Sequence, residues 1–130
     1  MVYLERLSFS QTETRKMLIH IDPDAVRTRV HRKLLVQAMP QLELRCLDRL
    51  EMGALEGLTP DRSVVAFVCL EGVTEPAMGS WLSAVRSMHA GLSWFAVVPE
   101  DALPPDWVEG LAPNAVIRLP LDVHAIKHHL

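Results

Sequence analysis

Apolar positions come in short bursts along the chain, some continuous and some spaced every three to four residues. Three continuous runs, Met17–Ile21, Val64–Leu70 (VVAFVCL) and Leu92–Val98 (LSWFAVV), have the pattern of strands buried on both faces. After the first run, Val26, Val30, Leu34 and Ala38 recur every four residues with Leu35 beside them. This spacing predicts a helix that buries that stripe and carries Arg27, Arg29, Arg32 and Lys33 around its other sides. Asp22-Pro23 offers it a capping carboxylate and a first-turn proline, and Pro40 ends it.

Leu42, Leu44 and Cys46 then alternate with Gln41, Glu43 and Arg45, which predicts a half-buried strand at a sheet edge. Asp48 and Glu51 have capping-box spacing and open a short helix punctuated by Gly53 and Gly57. "TPDRS" (59–63) is a turn. From about Ala77 to His89 a helix places Trp81, Leu82, Val85 and Met88 inward. Residues 99–113 are too proline-rich for more than a turn or two around Asp106–Leu111. "AVIRL" (115–119) is a fifth strand, stopped by Pro120, and Asp122 caps a last helix bearing Val123, Ile126 and Leu130.

Five strand–helix alternations predict an α/β domain, a parallel sheet covered on both faces. Nearly half of the 130 residues are apolar and 22% are charged, which excludes a disordered chain. No apolar run approaches the roughly 20 residues needed to span a bilayer. Residues 1–15, with Glu5 and Glu13 among them, read as a polar extension and not as a secretory signal. Cys46 and Cys69 lack metal or redox spacing and fit buried, reduced thiols of a cytoplasmic protein. The net charge of −3 gives no general attraction to nucleic acid. It is unevenly spread, at +3 over residues 1–49 and −6 over 50–130, as on a protein with two faces for other domains.

"LIHIDPDAVR" and "IRLPLD", set in this alternation, resemble the opening and the fifth-strand turn of bacterial response-regulator receiver domains. The resemblance covers residues 16–130 and implies a flavodoxin-like, CheY-like (βα)5 fold of strand order 2-1-3-4-5 with a shortened fourth helix. It implies a phosphoryl-accepting aspartate after the third strand, two acids binding Mg²⁺ after the first, and a Ser/Thr and a Lys that hold the phosphoryl oxygens. Carried over, the acid pair falls on Ile21 and Asp22, with Asp24 nearby. The acceptor falls on Val68 or near Glu71, the Ser/Thr on Val97 and the Lys on Leu119. No aspartate lies between Arg62 and Glu100. The chain thus reads as a pseudo-receiver that accepts no phosphate, is not an enzyme, and needs no metal or cofactor. Glu71 is either a fixed negative charge mimicking phosphorylation or a solvated loop residue. Asp22 is either a helix cap or a metal ligand.

Other constellations are sparser. His124 and His128 have the i, i+4 spacing of a metal pair, but no cysteine or acid completes a set. No Gly-rich phosphate loop and no GxSxG elbow occurs. Trp107, in "PPDWVEG", either plugs the sheet beside the shortened helix or anchors a partner. The expected function is regulatory protein–protein contact, with homodimerisation through Trp107, Arg118, Val123, Ile126 and Lys127. The basic first helix is the competing surface. The sequence resembles the divergent receivers of σ54-dependent activators of flagellar or biofilm genes, which implies a longer protein with an AAA+ domain and a DNA-binding domain downstream. The alternatives are a localisation module of a ParA/MinD-like pilus-assembly ATPase and a small-ligand-binding flavodoxin-like domain.

Overall fold

A computed structural model describes residues 16–55, 57–58 and 62–130; the predicted extension at 1–15 and most of the turn at 59–63 lie outside it. Its strands are β1 (Met17–Ile21), β2 (Glu43–Leu47), β3 (Val64–Cys69), β4 (Ser93–Val98) and β5 (Ala115–Arg118). They form one parallel sheet of order β2-β1-β3-β4-β5, the order that the resemblance implies. The helices are α1 (Ala25–Ala38), α2 (Glu75–Met88) and α3 (Val123–Lys127).

The alternation of side chains along β1 divides the core. Met17, Ile19 and Ile21 face α2, packing with Val68, Met78, Trp81, Leu82, Val85 and Trp94. Leu18 faces the other way, into a cluster with Leu35, Phe67, Phe95 and Ile126 beneath α1 and α3. β2 is an edge strand, as its alternation predicts, and every one of its residues is half-buried.

The helical connections depart from the expected five. After β2 the described chain forms a single 3-10 turn at Gly53–Leu55, and after β4 another at Glu109–Leu111. Glycine and proline at these places cost more than a short helix gains. Indole hydrogen bonds fasten both segments, the first to α2 and the second to the sheet. Trp81 Nε1 donates to Glu51 O (3.1 Å) and Trp94 Nε1 to Leu111 O (2.9 Å). Trp107 is half-buried and packs against the α2-side core.

Two predicted faces are corrected. On α1, Val26 is 68% exposed and Val30 52%, and Leu34 is also exposed, while His31 and Leu35 are buried. Position 27 joins 31 and 35 at four-residue spacing, and Arg27 and His31 bond to β1 and the residue after it, Asp22 and His20. These two polar attachments set the helix's rotation, turning the valine stripe to solvent. On α2, Met88 is exposed and Met78 takes the inward place.

Candidate functional site

The carboxyl ends of β1 and β3 meet over the N-terminus of α1, where an α/β sheet of this order places its chemistry. The predicted cap is displaced by two residues. Asp24 caps α1 by accepting from Arg27 N (3.0 Å), with Thr28 Oγ1 donating to Asp24 O (2.9 Å). Asp22 is released from capping and lies 1% exposed behind it.

Arg27 reaches back over this acid. Its Nε donates to Asp22 Oδ2 (2.6 Å) and its Nη2 to Asp22 Oδ1 (2.7 Å), a bidentate pair. Nη2 also lies 3.0 Å from Glu71 Oε2 and 3.2 Å from Cys69 Sγ. Asp24 N adds a hydrogen bond to Asp22 Oδ1 (2.9 Å). Burial by itself would raise the Asp22 pKa. The Arg27 hydrogen bonds and the Asp24 N–H outweigh it, so the carboxyl is held below its ordinary range and stays ionised. The guanidinium is held even more firmly protonated, chiefly by Asp22 and against its own desolvation. Burial pushes the Cys69 thiol up, which keeps it neutral.

The slots named by the resemblance are thereby located. Val68 lies opposite Ile21 in the sheet, wholly buried on the α2 side. The third-strand residue whose side chain reaches the site is Cys69, 3.2 Å from Arg27 Nη2. Glu71 is exposed but ion-paired to Arg27, so its charge is not free. Val97 pairs with Cys69 in register and is buried, and Leu119 packs half-buried beneath α3. The carboxylate that the resemblance assigns to Mg²⁺ is neutralised here by an arginine of the same chain.

A pocket of about 260 Å³ opens on the α2 side of these strand ends, lined by Ile21, Pro23, Leu50, Cys69, Glu71 and Val73 among others. Asp22 and Asp24 are not in its wall. Its charged wall is made by Asp48, Arg49 and Glu71.

The expected contact surface is only partly on the outside. Ile126 is 1% exposed and packs on the sheet, so it is removed from that surface. Arg118 and Lys127 are exposed and Val123 is half-buried. Arg118 Nη1 donates to Ala102 O (2.7 Å), which ties the β4–β5 connection to the edge strand.

Sequence reasoning missed Arg27, Cys69, His20 and His31. Arg27 follows Asp22 by five residues, one helical turn past a strand end, and that spacing was the available signal.

Solved structures of similar shape share this architecture. A protein described as pilus assembly-related from Burkholderia pseudomallei superposes with a TM-score of 0.66 at 14% identity, over 90% of this chain and 87% of that one. A pilus assembly protein of Burkholderia thailandensis gives 0.63 at 17%, over 88% and 93%. A response regulator from Thermotoga maritima gives 0.63 at 10%, over 88% and 93%. The fold is receiver-like. No protein-family model and no curated protein matches the chain. Among the described residues no helix is long and apolar enough to cross a membrane.

Proposed function

We propose that this chain is a receiver-like regulatory module that acts by protein–protein contact and takes no phosphoryl group. The observation that carries the reading is the Arg27 bridge. A Mg²⁺–phosphoryl site needs oxygen ligands with open charge and an acceptor carboxylate. Here the charge of the acid is neutralised by a guanidinium, and a neutral thiol ends the third strand. Two exposed surfaces suit contact: the Val26, Val30, Leu34 stripe of α1 with Arg29 and Lys33 around it, and the β5–α3 edge with Val116, Arg118 and Lys127. Self-association through one of them would set the oligomeric state of output domains elsewhere in a longer cytoplasmic protein.

The likeness to two pilus-assembly proteins supports the setting of a localisation module in a pilus-assembly ATPase. The setting of a σ54-dependent activator rests on the sequence resemblance and is the second reading. Neither calls for nucleic-acid or membrane binding by this domain.

The test is an amide-shift titration with Mg²⁺ and then beryllofluoride, with light scattering on the same samples. The expected result is no saturable shift at Asp22, Cys69 or Glu71 and a mass above the monomer from the outset, unchanged throughout. Saturable shifts converging on those residues would overturn the reading.

A further inference from the structure

Beneath α1, on the sheet face opposite the pocket, three metal-binding groups meet at a place the receiver-like acid end does not explain. His20 leaves β1 toward α1, His31 descends from α1, and Asp22 follows the strand; their donor atoms lie within 4.8 Å of one another. All three residues are almost completely buried. His20 Nε2 and His31 Nδ1 are 3.0 Å apart, and the rings meet edge-on. Without a metal, one imidazole must donate to the other, and His20 Nδ1 finds no partner among the described residues. Burying two imidazoles for one hydrogen bond, with a polar atom left over, is costlier than burying two leucines.

A cation resolves this arrangement. Metal–imidazole bonds of about 2.0–2.1 Å span a 3.0 Å nitrogen pair at roughly a right angle, and opening the pair by ~0.3 Å makes the angle tetrahedral. Burial lowers the pKa of both rings, so at neutral pH they are in the uncharged form that binds metal. Asp22 Oδ1 accepts two hydrogen bonds and Oδ2 one. A carboxylate has about four acceptor positions, so one remains with Arg27 still in place.

We propose that His20, His31 and Asp22 form a binding site for a divalent first-row transition ion of the zinc type. Two nitrogen ligands select such an ion over Mg²⁺. Bound there, it clamps α1 to β1 beside the Asp22–Arg27 pair. Arg27 is the nearest opposing charge and holds the affinity down.

The test uses the whole chain, stripped with chelator and titrated with zinc chloride. It is followed by long-range ¹H–¹⁵N spectra of the imidazoles and, with Co²⁺ in place of Zn²⁺, by visible absorption. One equivalent is expected to move His20 Nε2 and His31 Nδ1. His31→Gln should weaken binding at least tenfold, His124→Ala/His128→Ala should leave it unchanged, and Arg27→Gln should tighten it by about tenfold or more. Unmoved His20 and His31 nitrogens, or binding abolished by the α3 double variant, would overturn the site. The wild-type imidazole spectrum decides even if His31→Gln does not fold. The outcome is also separable from the interaction reading, which Mg²⁺ and beryllofluoride test without Zn²⁺.

Discussion

Replacing Arg27 with alanine would convert the Asp22 carboxylate from a bonded, neutralised group into a lone buried anion. Removing one partner of a buried ion pair costs about 3–5 kcal/mol. The Arg27 side chain is 20% exposed, so water screens part of the interaction and a cost at or just below the bottom of that range, about 2–3 kcal/mol, is expected. That is a substantial share of the 5–15 kcal/mol holding an ordinary domain together, and for a chain of this size it lowers Tm by about 10 °C. Urea unfolding followed by tryptophan fluorescence suits the measurement, since Trp81 and Trp94 are buried on the α2 side. The decisive comparison is Arg27→Ala/Asp22→Asn. Without the charge to strand, the double variant should recover at least half of the loss. The pH dependence has a definite sign. In the native protein the Asp22 pKa is depressed, so its stabilisation is present above the unfolded value near 3.9 and is lost as pH falls through the folded value. In Arg27→Ala the stranded acid takes up a proton more readily, so the gap from wild type should narrow as pH drops from 7 toward 4. A loss under 0.5 kcal/mol, or no rescue by Asp22→Asn, would refute the claim that Arg27 is the counter-ion of this site.

Other predictions follow from neighbouring features. In chelator-treated protein, burial holds the His20 pKa down at about 4, so folding should lose about 3 kcal/mol as pH falls from 6.5 to 4, beyond the carboxylate contribution; His20→Leu should flatten that part of a pH–stability curve from urea titrations. Trp94→Phe should cost about 1–2 kcal/mol by leaving Leu111 O without its indole donor, and Trp94→Ala about 3–5 kcal/mol, both read by circular dichroism melts. Val30→Glu on the exposed face of α1 should leave stability within about 0.5 kcal/mol. If α1 is the contact surface it should also lower the mass measured by light scattering, whereas Arg118→Glu/Lys127→Glu should do so if the β5–α3 edge is.

The sheet was legible because its strands are long apolar runs and its edge strand alternates cleanly; helix faces and the site were less so. Val26, Val30 and Leu34 have the spacing of a buried stripe, and only the polar attachments at Arg27 and His31 show that the helix is turned the other way. Apolar periodicity carries no information about a buried histidine or arginine, whose partners lie elsewhere in the chain. Asp22-Pro23 looked like a helix start because the local rule for caps fits it. Asp24 fits the same rule, and the long-range demand for a partner to Arg27 decides between them. Cys69 was hidden by counting along an apolar strand with no aspartate to fix the register.

A counter-ion carried on the chain has consequences of its own. The guanidinium opposite Asp22 has a local concentration set by chain geometry and not by the surroundings. It cannot be diluted, chelated or exchanged for another ion, and it arrives with every copy synthesised. On the proposed function, a module built in this way has no discharged state to return to and no signal lifetime to tune. On that reading its activity is metered by how many copies are present and by what competes for their surfaces.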